Sequence, residues 1–323
     1  MSASGKTKTF PDMTTAIDPE VYARRWKILG VLCLSLIVIM VANSSLNTAL
    51  PAMAEDLDAS ASELQWMVDS YSLVFAGLLF TAGTLGDRFG RRIALQGGMT
   101  IFLFGSIAAS LSDSASGVIG WRAVMGLGAA FVMPSTLSLL TNVFPPHERP
   151  KAIATWAGVA GGGAAFGPPL SGFLIEHFWW GSVFLINVPL LLIALVAGRM
   201  MLPESVDPHQ VKVDVPGALL SIVAIGLAVY SIIEAPTHGW LSATTLLTMA
   251  GAVVAALVFA AWEHRTAHPM FELSLLRDRR YAVAAVVIGL CFFAMFGLMF
   301  LMAQYLQLVL GYSALGAGLL MLP

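Results

Sequence analysis

From Ile28 to Pro51 the chain runs for 24 residues without one charged side chain, and apolar runs of similar length follow almost to its end. A helix needs about 20 consecutive apolar residues to cross a hydrocarbon core of about 30 Å. A soluble α/β chain would show buried strands of about 4–8 residues instead. Only 11% of the 323 residues are charged and 58% are apolar, against roughly 25% charged in soluble domains. The expected fold class is an all-α polytopic membrane protein.

Hydropathy predicts spans over 28–51, 64–86, 93–112, 117–140, 152–175, 181–202, 215–235, 243–262 and 281–303. A tenth begins near Ser313 and is too short by Pro323 to cross, so a longer parent protein is expected. This divides the chain into an N-terminal segment (1–27), a six-helix bundle (28–202), a linker with two additional spans (203–262), and a loop opening an incomplete second bundle (263–323). The first 26 residues are polar and lack the apolar region of a signal peptide, which makes the first run a retained span. Cys33 and Cys291 both fall inside spans and offer neither a disulfide framework nor a metal site.

Charge placement orients the helices. Lys6, Lys8, Arg24, Arg25 and Lys27 precede the first span. Arg88, Arg91, Arg92, Arg149, Lys151, Arg199, Lys212, Arg265, Arg277, Arg279 and Arg280 fall in alternate loops on the same side. The last basic residue, Arg122, sits within a span. The opposite loops are acidic or neutral, with Glu55, Asp56, Asp58, Glu63 and Asp113. Positive loops stay inside, so the N-terminus is expected in the cytoplasm. Tryptophans gather near span ends, where an amphipathic ring suits the headgroup layer; Trp156 alone could equally be packed inside.

The stretch "GTLGDRFGRR", Gly83 to Arg92, puts three glycines and four charges into ten residues. A positive-inside loop accounts for its arginines but not for Asp87. An acid beyond a helix C-terminus opposes the helix dipole, so Asp87 needs a nearby arginine or the N-terminal end of another helix. Glycines allow a sharp turn and a close neighbour. A rigid hairpin holding out an acid is suited to latching moving parts.

Gly83-x-Leu85-Gly86-Asp87-Arg88-x-Gly90-Arg91-Arg92-x-x-Leu95 resembles the loop 2–3 signature of the major facilitator superfamily. The resemblance implies two helical bundles and a cytoplasmic charge relay that stabilises the outward-facing state. It also implies that the partner helix of Asp87 belongs to the second bundle.

Four further stretches carry a finer resemblance. In the fifth span, Gly163-x-x-x-Gly167-Pro168-x-x-Ser171-Gly172 permits close helix packing, and it resembles the antiporter motif of drug:proton exchangers, with Ser171 in place of a glycine. Arg122, in "WRAVMGLGAAFVMP", is costly within a membrane and needs a cavity, a partner, or a reach to the outer interface. Its segment resembles the superfamily's fourth-span motif, which implicates it in proton transfer; Met125 stands where that motif has glutamine.

Asp69 is the intramembrane acid. "SASE", Ser60 to Glu63, could form a capping box that starts the helix near Ala61, leaving Asp69 beyond the first turn. Desolvation favours its protonated form and Arg122 nearby would oppose that, so Asp69 is a candidate proton carrier; an ordinary interfacial acid is the other reading. "LQWMVDSYSLVFAG" resembles the "WxxDxYxL" of fourteen-span drug:proton antiporters. "NSSLNTALP" resembles their first-span motif, although Ala42 takes the position of an acid found there. Asn43 and Asn47 are polar but cannot carry a proton. Glu234 reads as interfacial.

Together these features imply a proton-coupled efflux antiporter of drug-like lipophilic or cationic compounds, multi-pass in a bacterial cytoplasmic membrane. Asp69 and Arg122 would couple the proton, and Gly83, Asp87, Arg88, Gly90, Arg91 and Arg92 would form the latch. Gly163, Gly167, Pro168 and Gly172 would form the antiporter helix. The expected partners are a small-molecule substrate, protons and the bilayer, with no nucleic acid, no cofactor and no metal. A dedicated exporter of one endogenous metabolite and a non-transporting receptor or scaffold are the alternatives. An enzyme is disfavoured because no span carries a metal-ligand pair, a nucleophile–base pair or two close carboxylates.

Overall fold

The computed structural model describes residues 18–206, 214–266, 275 and 277–321; Lys6, Lys8, His209, Lys212, His268 and Pro323 lie outside the described residues. Five long helices come first: α1 (Pro19–Asp56), α2 (Ala61–Phe89), α3 (Arg91–Ser110), α4 (Ala115–Val143) and α5 (Arg149–His177). A short α6 (Ser182–Leu185) meets α7 (Asn187–Met201) at Ile186, so the sixth expected span is built in two pieces. Then come α8 (Val215–His238), α9 (Ala243–Arg265), α10 (Arg279–Gln304), one π-helical segment (Tyr305–Val309) and α11 (Ala314–Leu320). The fold is all-α.

Local chemistry sets the starts. Ser60, Ser114, Asp214, Ser242 and Ser313 each accept a backbone N–H three residues on, satisfying a donor that the first helical turn leaves free. At α2 the capping box is complete: Glu63 N–H donates to Ser60 Oγ (3.3 Å) and Ser60 N–H to Glu63 Oε2 (2.9 Å). Among the described residues, eight helices are long and apolar enough to cross a membrane, with α6 and α7 counted as one. This is a multi-pass membrane protein. The 29-residue α5 is not among the eight; its glycines and prolines keep it weakly apolar.

The centre is α1, which lies against α4, α5 and α7, while α4 lies between α2 and α3. The α8–α9 hairpin docks on α2 through α8, and α11 packs on α5. Burial separates the ends of the chain: 72% of the most apolar stretch of α1 is buried, against none of that of α10. Indoles tie helix ends together. Trp66 Nε1 donates to Glu234 (2.9 Å), Trp180 Nε1 to Asp56 (2.6 Å) and Trp262 Nε1 to Asp214 (2.9 Å). Trp156 is the packed exception, donating to Thr136 of α4 (3.3 Å).

Before α5, Glu148 grips Arg25 of α1 in a two-point ion pair (2.7 and 3.0 Å). The Arg25 guanidinium hydrogen-bonded to Glu148 holds its carboxyl below the usual carboxylate range.

Candidate functional site

The Gly83–Arg92 stretch is a helix junction rather than an open hairpin loop. Of the residues expected in the gap at 87–92, only Gly90 is non-helical. Its φ of +120° is a backbone conformation that side chains disfavour, and a Cβ there would sit 2.7 Å from Glu204 Oε1. Gly83 faces Pro134 of α4, and Gly86 faces Ala94 and Ser135.

Asp87 has the first kind of partner expected for it. Arg91 Nε lies 2.7 Å from its Oδ1, and Ser138 of α4 donates to the same oxygen (3.3 Å). Arg88 is exposed, its guanidinium 5.2 Å from the centre of the Phe89 ring.

Sequence reasoning missed what the other two arginines hold. Arg91 N–H donates to Ser205 O (2.9 Å) and its guanidinium to Ser205 Oγ (3.2 Å). Arg92 pairs with Glu204 (3.3 Å) and donates to Leu202 O (3.2 Å). Asn142 of α4 also reaches Ser205 Oγ. The junction thus grips the start of the linker toward α8.

Deeper in the bundle, Arg122 does not reach the interface. It is fully buried, its Nε donating to Met67 O (3.0 Å) and its guanidinium lying 4.3 Å from the centre of the Tyr71 ring. Its two terminal nitrogens have no hydrogen-bond partner among the described residues. Met67 and Tyr71 are four residues apart and share the α2 face toward α4. Asp69, two residues from each, lies about 200° around the helix from Met67. The expected pair therefore flanks α2 rather than joining across a contact. Asp69 forms no ion pair among the described residues, although the charge of Arg122 acts on it, and Gln65 one turn earlier is its polar neighbour.

Asp69 instead lines a cavity of about 440 Å³ between α1, α2 and α10. Three helices contribute at four-residue spacing: Asn43 and Asn47, Gln65 and Asp69, and Phe292, Phe296 and Phe300. That spacing places side chains on one helix face, so the phenylalanine row of α10 was a signal available in the sequence. What the sequence did not say is that this row faces Asp69.

The glycines of α5 mark where helices touch. A Cβ at Gly167 would stand 2.9 Å from Ser44 Cβ, and Ser45 Oγ donates to Gly167 O (3.1 Å). Gly163 faces Ile37 and Met40 of α1, while Gly172 meets Leu315 of α11 and Gly318 meets Pro168 and Pro169. One helix is thus seamed to the first and last helices described. Glu234 accepts from Ser62 (2.7 Å) and Trp66, which ties α8 to the start of α2.

The description of the Major Facilitator Superfamily matches residues 32–323. The multidrug efflux pump LfrA of Mycolicibacterium smegmatis is 40% identical over 301 residues, covering 93% of this chain and 60% of the relative. The methyl viologen resistance protein SmvA of Salmonella typhimurium is 37% identical over 304 residues, covering 93% and 61%. The chain spans about three-fifths of the length of these curated relatives. A peptide transporter POT crystallised with sulfate aligns at a TM-score of 0.60 over 92% of this chain and 65% of its own; at 16% identity this speaks for the fold alone.

Proposed function

The chain belongs to the Major Facilitator Superfamily, and from that premise we propose that it acts in a proton-coupled antiporter exporting drug-like lipophilic or cationic compounds by alternating access. The observation that carries this reading is Asp69: a carboxyl without an ion partner among the described residues, on the wall of a cavity shared by α1, α2 and α10. In superfamily transporters the two halves rock about a site between them. A titratable acid at such a site can take up a proton when a cation leaves and release it when one binds.

Arg122, across α2, tunes Asp69 through its field rather than by contact. The Asp87–Arg91 pair with Arg88 and Arg92 forms the cytoplasmic latch. The α5 seam at Gly163, Gly167, Pro168 and Gly172 keeps α1 registered against α11 as the halves move.

The α8–α9 hairpin between the six-helix bundle and α10 supports a fourteen-span organisation, and the coverage of the relatives supports further spans beyond those described. The names of those relatives support drug-like substrates. The arginine-rich loops support a cytoplasmic N-terminus, and the bacterial relatives support a bacterial cytoplasmic membrane.

The test uses everted vesicles bearing the full-length protein under an imposed proton gradient. Uptake of a fluorescent lipophilic cation is expected, and it should vanish with an uncoupler and in Asp69→Asn. Proton-driven uptake undiminished in Asp69→Asn would overturn the assignment.

A further inference from the structure

An acid that takes up and releases a proton sets its neighbours a hydrogen-bonding problem. As a carboxylate Asp69 only accepts, and once protonated it also has an O–H to donate. Arginine or lysine beside it would serve only the charged form, because neither side chain can accept. An amide serves both forms, with two N–H donors and a carbonyl acceptor on one group. Gln65 offers that group. It lies one turn before Asp69 on α2, half-buried on the same cavity wall, and its amide is the hydrogen-bonding neighbour of the Asp69 carboxyl. Gln and Asp at this spacing share a helix face and pair across one turn. The rest of that turn is committed elsewhere. Ser62 and Trp66 both donate to Glu234 of α8, and Met67 O holds Arg122 of α4. These anchors fix the rotation of α2 and leave Gln65 with Asp69 on the wall shared with α1 and α10.

Building on the coupling reading of Asp69 above, we propose that Gln65 is a positioning residue for proton exchange at Asp69. Its N–H donates to the carboxylate. When a proton arrives, the amide turns about its last side-chain bond and its carbonyl oxygen accepts the new O–H. Asp69 thus keeps one orientation toward the cavity in both charge states. The proton comes from water and returns to it, and Gln65 neither gains nor loses one. Asn43, the half-buried amide on the α1 side of the cavity, has no such link to the carboxyl among the described residues and serves as the comparison.

The experiment reads the carboxyl directly, by infrared difference spectroscopy between alkaline and acidic buffer on full-length protein in lipid nanodiscs. The carbonyl stretch of protonated Asp69 is the band that Asp69→Asn removes, and its frequency falls when the carboxyl is hydrogen-bonded. Gln65→Met, of similar length without hydrogen-bonding groups, is expected to move that band to higher frequency. It should also slow gradient-driven uptake about fivefold, the weight of one hydrogen bond. Asn43→Leu should leave the band in place. Gln65→Asn, which keeps the amide but is one methylene short, should move it part of the way and covers the case in which Gln65→Met does not fold. A band unmoved by both Gln65 variants overturns the proposal, as does an equal shift in Asn43→Leu; either result leaves Asp69 as the proton carrier. If no band answers to Asp69→Asn, Asp69 takes up no proton, and the coupling reading falls together with this one.

Discussion

Two aspartates share helix α2, 18 residues and about 27 Å apart along its axis, and their surroundings could hardly differ more. Asp87 is held by Arg91 and Ser138 at the helix end. Asp69 has no ion pair among the described residues and lines a cavity. In the proposed mechanism, the carboxyl at the cavity wall changes charge as the cavity fills and empties. One helix thus carries an acid held by a cation at its end and an acid left facing a cavity.

Exchanging what each acid can do is the sharpest way to break this contrast. Asp69→Asn is expected to drop gradient-driven uptake in everted vesicles to the background of protein-free vesicles, the largest effect predicted. Asp87→Asn should slow turnover about tenfold, the weight of a half-exposed ion pair together with a hydrogen bond, while membrane insertion on immunoblots stays normal. Equal losses in the two variants would erase the distinction between them.

Smaller changes sharpen it. Glu204→Gln removes the partner of Arg92 and should cost about two- to threefold in uptake rate, as expected for a surface pair. Asp69 stays titratable in that variant, so the uncoupler should still abolish the remaining uptake. Glu148 extends the contrast outside the membrane as a third acid, paired like Asp87. Its pKa is lowered in the fold by Arg25. The stability it contributes is therefore present above the carboxylate's usual pKa of about 4.3 and is lost as pH falls through the depressed value. The gap in melting temperature between wild type and Glu148→Gln should hold from pH 8 to about pH 5 and close only in stronger acid.

What could be read from the sequence was whatever one helix decides for itself. The capping box at Ser60 and Glu63 and the recurring apolar runs depend on neighbours a few residues away; the structure has the box where expected and helices over the apolar runs, the sixth of them in two pieces. The junction motif was legible too, but as a pattern whose partners were open. That Arg91 and Arg92 hold Leu202, Glu204 and Ser205, more than a hundred residues on, follows from how the start of α3 lies beside the end of α7, which no local spacing encodes. Arg122 shows the same limit. Its depth along α4 left snorkelling open, and burial against α2 was decided by helix rotation. The cavity was hardest, because its polar wall comes from α1 and α2 and its aromatic wall from α10, some 250 residues later. Phe292, Phe296 and Phe300 carried a visible spacing but no sign of what they face.

The single residue between α2 and α3 has a mechanical meaning. A loop of several residues would take up slack, whereas Gly90 alone works as a tight elbow between two stiff rods. The end of α2 and the first turn of α3 are separated by that residue alone. Arg91 and Arg92 sit on that turn and would pull Leu202, Glu204 and Ser205 along with them. The end of α2 and the path of the chain into α8 are therefore tied to one another through the first turn of α3.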